Sequence, residues 1–308
     1  MTENRPPRLG FFDRPYLLLS LTSLFWAINI VLGRMIAGDI PPLLLTFLRW
    51  GGASLIVLPF AWNGLKRDWP VIRRHLKLIA ILSATGIAGY NAMAYWGLAY
   101  TEALNVLLLQ STGPLLIAIW AFVLWGDRLT PRQLGGILTS LAGVVVIICR
   151  GDIAHLAQMK LNPGDVLIFI ALILYGAYAA LLRKRPDIHQ LSFLATTIIG
   201  GTMCLAPFAL GEFLAGPRMN VTPTTFAVVF YVALFPSLIA YMFFVRGVEL
   251  IGPNRASPFF HLMPVFGSVI AILFLGEQPQ LFHALGFALV LTGVFVATRR
   301  PAPAEPAH

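Results

Sequence analysis

Polar side chains are rare in the long apolar stretches of this chain. Each one that sits there costs free energy unless it faces a partner, a cavity or a ligand. The first stretch carries Trp26 and Asn29, three residues apart and so on one helix face. The second holds Arg49, the one basic residue well inside such a stretch. The third has Tyr90, Asn91 and Tyr95, and the fourth has Gln110 and Ser111 ahead of Pro114. Later come Tyr175 and Tyr178, then Tyr241, then His261 ahead of Pro264. The chemistry open to this set is recognition. Asn29 can hold an amine or a carboxylate, or bond a neighbouring helix. Arg49 can pair with a carboxylate, or reach along its stem to the membrane surface. Trp26, Tyr90, Tyr95, Tyr175, Tyr178 and Tyr241 offer aromatic walls for an apolar or aromatic body, and their ring faces attract an ammonium group. His261 is either a neutral core histidine or a proton sensor.

Catalysis and metal binding find no support in the sequence. There is no His-Glu-x-x-His, no Gly-x-Ser-x-Gly and no carboxylate pair inside an apolar stretch. Cys149 and Cys204 lie in apolar segments without ligand spacing and read as small apolar side chains. The expectation is a protein that is not an enzyme and uses no cofactor or metal. The 13 acidic residues all fall in loops, tails or helix ends.

The elements that position these groups follow from composition. Of 308 residues, 58% are hydrophobic and 11% charged, with a mean hydropathy of +0.79. A soluble domain carries about 25% charge, so this chain is read as a polytopic membrane protein. Ten stretches have the length and apolarity of a spanning helix, at approximately 15–37, 42–62, 77–98, 102–125, 131–149, 164–183, 190–212, 223–246, 252–275 and 281–298. The first is too long for a signal peptide's apolar region and is taken as retained. Seventeen of the 22 Lys and Arg fall on the side of the N-terminus, four fall opposite, and Arg49 is inside a span. That asymmetry places both termini in the cytoplasm. It also accounts for the net charge of +9 without a nucleic-acid partner.

The chain matches itself at an offset of 150 residues. Gly126 falls on Gly276, Asp127 on Glu277, Gly136 on Gly286, Gly143 on Gly293, Pro114 on Pro264 and Arg150 on Arg300. Two units, 1–150 and 151–308, therefore carry five helices each, and an odd number inverts the second against the first. Such folds place the substrate site near the midplane between the halves. Asn91 maps onto Tyr241, and Ser111 onto His261, so polar groups recur at matched depth. Prolines Pro114, Pro236 and Pro264 mark expected hinges in helices four, eight and nine. The glycines Gly135, Gly136, Gly143, Gly286 and Gly293 suggest that helices five and ten form a packing or homodimer surface away from the site.

Three segments carry a family resemblance. Phe25-Trp26-Ala27-Ile28-Asn29-Ile30-Val31-Leu32-Gly33-Arg34 resembles the first-helix motif of EamA-domain proteins of the drug/metabolite transporter superfamily. Leu98-Ala99-Tyr100-Thr101-Glu102-Ala103-Leu104 with Gly113-Pro114, and Leu124-Trp125-Gly126-Asp127-Arg128-Leu129-Thr130, are similar to that family's loop, fourth helix and following turn. The resemblance implies an all-α, ten-helix, multi-pass transporter of small metabolites in the cytoplasmic membrane. Its YddG-type aromatic amino-acid exporters share this size and layout. Alternating access to a midplane cavity is implied. Small multidrug members couple to protons through an intramembrane carboxylate, which has no counterpart here, so facilitated diffusion is the expected mode. Phosphorylated or nucleotide-linked metabolites, and proton-coupled antiport, are the alternatives.

Overall fold

The computed structural model describes residues 10–35, 39–98, 100–101, 106, 109–152, 154, 162–215, 219, 221–274 and 278–299. Among these, a short turn at Phe11–Asp13 leads into ten helical segments. They are α1 (Pro15–Met35), α2 (Pro42–Arg74), α3 (Leu76–Leu98), α4 (Gly113–Trp125), α5 (Pro131–Ile148), α6 (Pro163–Lys184), α7 (Gln190–Ala215), α8 (Pro223–Ile251), α9 (Pro253–Phe274) and α10 (Leu281–Thr298). Eight of the described helices are long and apolar enough to cross a membrane. The apolar parts of α1 and α4 are shorter. The segment Glu102–Leu104 and the Gly276-Glu277 turn lie outside the described residues.

Helix ends repeat with the duplication. Thr130 caps α5 in a reciprocal box with Gln133, and Gln280 caps α10 in the same way with His283, 150 residues later. Asn162 and Asp165 form a third such box at α6. Each satisfies backbone N–H groups that a helix start leaves without partners. Gly126 ends α4 at φ 71°, a left-handed conformation that costs glycine nothing.

Helix α2 departs from the sequence reading, which ended it near residue 62 and put Lys66–Arg74 in a loop. It runs 33 residues to Arg74, about 50 Å at 1.5 Å per residue, against a hydrocarbon layer of about 30 Å. Hydropathy reports where a chain leaves lipid, not where a helix stops. The extension is held by α7, its counterpart in the second half. Asp68 accepts the backbone N–H of His189, just ahead of α7, at 3.0 Å. Reciprocally, Glu212 near the end of α7 accepts the backbone N–H of Leu44 in the first turn of α2, at 2.8 Å. Each helix therefore supplies a carboxylate to the positive start of the other.

The main packing partners join the halves: α5 with α10, α2 with α7, α3 and α4 with α6, and α1 with α8 and α9. The α5–α10 contact is a glycine seam inside the chain. A Cβ on Gly143 would lie 2.7 Å from both Gly286 O and Val290 N, and one on Gly136 2.6 Å from Gly293 O. Gly135 has open space instead and takes no part. Gly143→Ala is therefore expected to lower the thermal midpoint of the detergent-solubilised protein, at a cost of about 1–3 kcal/mol from overpacking. Gly135→Ala is expected to leave the midpoint unchanged or raise it, since an exposed helical Gly→Ala gains up to about 1 kcal/mol.

Candidate functional site

Two helices lose their α-geometry at matched places. Ser83–Gly89 in α3 and Ala233–Ile239 in α8 are wound as π-helix, 150 residues apart. In α8 the cause includes Pro236, which has no N–H to give. In α3 the same register is Gly86, where a Cβ would fall 2.2 Å from Tyr178 Cδ2. Such turns disturb the backbone ladder and leave carbonyls open to other donors. Tyr241 OH donates to Gly86 O at 3.0 Å. Trp26 Nε1 donates to Pro236 O at 3.0 Å, and Arg49 Nη2 reaches the same oxygen at 3.4 Å. Each opened carbonyl is thus bonded by side chains of the other half.

Arg49 sits between these segments and is 3% exposed. Its Nε donates to Ser237 Oγ, and its Nη1 to Asn91 Oδ1 at 3.3 Å and Tyr95 OH at 3.2 Å. Its guanidinium also lies 5.1 Å from the Trp50 ring centroid. All these acceptors are neutral. Among the described residues no Asp or Glu forms an ion pair with Arg49. The side chain points inward, so the surface-reaching alternative does not hold. Four contacts use four of the five guanidinium N–H donors. Asn91 Nδ2 donates to Ile87 O at 2.8 Å, and Asn29 Nδ2 to Tyr95 OH at 3.4 Å. Asn29, Tyr95, Asn91 and Arg49 therefore form one polar string across α1, α3 and α2.

Beside the string lies an aromatic cluster. Trp26 contacts Phe260, Tyr241 and Tyr175 with ring centroids 5.3, 5.7 and 6.1 Å away. Tyr175 contacts Tyr90 at 4.7 Å and Tyr178 at 5.5 Å, and Trp50 meets Tyr241 at 5.0 Å. In this conformation the rings close on one another, in place of the open aromatic-walled cavity that the sequence suggests. A void lies at the basic end of the bundle. It is a cavity of about 500 Å³ lined by Asp127, Arg183, Arg185, Asp187 and Glu249, among others. Ion pairs bridge its rim: Asp127 with Arg183 and Glu249 with Arg185, each at 2.6 Å.

Among the described residues, His261 shares no hydrogen bond with Arg49 or its polar string. It is 1% exposed, and its Nε2 donates to Ser111 O at 2.8 Å. Its Nδ1 lies 2.5 Å from Ser140 Oγ on α5. The ring therefore ties α9 to α4 and α5 with both nitrogens bonded. Gln110 lines a small void beside it, with Pro264. Pro114 and Pro264 each fall in the first turn of an α-helical segment, Gly113–Trp125 and Leu262–Phe274, where no N–H is required. The irregular backbone precedes them, as a turn at Ser111-Thr112 and a 3-10 segment at Ser257–His261.

The structure brings Trp26, Asn29, Arg49, Tyr90, Asn91, Tyr95, Tyr175, Tyr178 and Tyr241 together in one region, while His261, Ser111 and Gln110 meet around a separate small void that Phe260 also lines. The sequence pattern does not mark every residue there. It overlooks Trp50, Ser237, Phe244 and Phe260 at the first. Ser237 follows Pro236 directly, which is the one signal available. Ser140 is also overlooked, because α5 reads as a packing helix with almost no polar residues. His261→Ala should remove the bonds to Ser111 O and Ser140 Oγ and leave a void, costing about 2–4 kcal/mol. Ser140→Ala, which removes the hydroxyl's contacts with His261 Nδ1 and Ile137 O but keeps the imidazole in place, should cost about 1 kcal/mol. Thermal unfolding in detergent checks the order of the two.

Ten helices in two inverted halves, with a polar and aromatic centre where the halves meet, define a membrane transporter. The chain belongs to the EamA-like transporter family, whose model matches it twice, over residues 14–149 and 162–299. An uncharacterized transporter of Bacillus subtilis, YyaM, is 29% identical, with 92% of this chain and 93% of that protein covered. The aromatic amino acid exporter YddG of Ancylobacter novellus is 23% identical (91% and 96% covered). An S-adenosylmethionine/S-adenosylhomocysteine transporter of Chlamydia muridarum is 24% identical (89% and 88% covered). A protein solved by crystallography shares the fold with a TM-score of 0.73 at 21% identity, over 92% of this chain and 96% of that one.

Proposed function

We propose that the chain exports small metabolites bearing one carboxylate, above all amino acids with apolar or aromatic side chains, by alternating access about the Arg49 region. The observation that carries this reading is Arg49 itself. Among the described residues this buried guanidinium is held by neutral oxygens, pairs with no carboxylate and has a donor to spare. A substrate carboxylate supplies the missing anion. The aromatic cluster alongside suits an apolar or ring-bearing body. Relatives named for amino-acid and adenosylmethionine cargo carry substrates with such a carboxylate. A phosphorylated cargo would call for several cations, and among the described residues Arg49 is the one buried Lys or Arg. The positive-inside orientation supports the cytoplasmic membrane as its location. Asp68, Asp165, Glu212 and Glu249 all sit near helix ends. This supports facilitated diffusion over carboxylate-based proton antiport.

The test is counterflow uptake of labelled phenylalanine and leucine into proteoliposomes. Arg49→Gln is expected to lower apparent affinity roughly 30-fold or more, since losing one partner of a buried charge pair costs about 2–5 kcal/mol. Its thermal midpoint without substrate should hold or rise, because an uncompensated buried charge has been removed. Unchanged uptake, or lost uptake together with a lower midpoint, would contradict the assignment.

A further inference from the structure

Three polar atoms in the aromatic cluster are buried with no hydrogen-bond partner: Trp50 Nε1, Tyr175 OH and Tyr178 OH. Trp50 and Tyr178 are 0% exposed and Tyr175 is 3% exposed. A buried polar group left alone costs about 1–3 kcal/mol, so three together require a reason. A cluster built for packing alone would carry phenylalanine at the two tyrosine positions. The repeat supplies that comparison: Tyr175 and Tyr178 of α6 correspond to Phe25 and Ile28 of α1, which bear no hydroxyl. The hydroxyls are thus an addition to one half.

Their chemistry is sorted by helix. Arg49 and Trp50, on α2, can only donate. Tyr175 and Tyr178, on α6, present oxygen lone pairs and the electron-rich faces of their rings. Tyr241 touches both groups, with its ring 5.0 Å from Trp50 and 6.2 Å from Tyr178. Its own hydroxyl is already bonded to Gly86 O. Trp26 joins the two ends as well, since its indole N–H shares Pro236 O with Arg49 while its ring meets Tyr175.

We propose that Tyr175 and Tyr178 form an ammonium subsite, paired across the cluster with the donor end at Arg49 and Trp50, so that the site selects zwitterions over simple carboxylates. The ammonium donates to the two hydroxyl oxygens and lies against the ring faces, where cation–π attraction adds to the hydrogen bonds. This rests on the carboxylate reading of Arg49.

Equilibrium binding to the purified full chain tests it with two matched pairs: L-phenylalanine against 3-phenylpropionate, and L-leucine against 4-methylpentanoate. Each pair shares carboxylate and body and differs in the ammonium. The wild type is expected to prefer the amino acid of at least one pair by about tenfold or more. In the Tyr175→Phe/Tyr178→Phe double variant that ratio should fall towards one. The ring volumes are kept, and a thermal midpoint that holds or rises, as loss of two unpartnered buried hydroxyls predicts, verifies the fold, with each single variant measured in parallel. Equal wild-type affinity within the pairs, or a preference that survives in the double variant, overturns the ammonium subsite and leaves the carboxylate reading standing. Binding of none of the four compounds overturns both.

Discussion

A guanidinium in the middle of a helical membrane bundle must be satisfied by oxygen atoms that the bundle would otherwise use for itself. Here the backbone releases one of them. The π-wound stretch of α8 opens Pro236 O, and Arg49 and Trp26 both bond to it. Ser237, the next residue, takes the Nε–H of the same arginine. The matching stretch of α3 opens Gly86 O to Tyr241 and carries Asn91 one turn on, facing Arg49. The site is therefore a consequence of two weakened helices. Those helices are tolerable in lipid because side chains from the opposite half complete their hydrogen bonds.

The contacts between halves are of two kinds. Along α5 and α10, glycines bring backbones into direct contact, and at α2 and α7 carboxylates cap one another's helix starts. These seams tolerate little change. Around Arg49 the halves meet instead through side-chain donors on carbonyl oxygens, and through stacked rings. Those contacts exchange partners at low cost, whereas packed backbone does not. The polar groups are thus concentrated where the halves meet through such contacts.

Much of this was legible in the sequence. The offset of 150 residues, the ten helices and the inversion follow from periodicity and charge, and Arg49, Asn91 and Tyr95 stood out because polar groups at that depth are costly. Matched glycines marked α5 and α10, although Gly135 turned out to face open space. What escaped had physical reasons. The last turns of α2 are polar, and a cap on α7 stabilises them rather than lipid. Pro114 and Pro264 look like kinks in sequence but occupy first turns, since the chain breaks just before them. Ser140 belongs to a helix whose pattern is otherwise apolar, and Trp50 follows Arg49 directly, a spacing at which helix geometry does not signal contact even though the two side chains meet here. The unpartnered hydroxyls of Tyr175 and Tyr178 depend on what lies across the bundle, which no local pattern encodes.

The central claim is that Arg49 awaits an anion carried by the substrate. Calorimetric titration of the wild-type protein with L-phenylalanine and L-leucine, and with the corresponding amides, tests it most directly. At about pH 6, below the α-amino range of about 7.7–8.0, the amides keep the ammonium and the side chain and lose the negative charge. The account predicts that at least one free acid binds and that its amide binds about 30-fold or more weakly. An amide that matches its acid would show that no anion is recognised, and Arg49 would then be a structural cation.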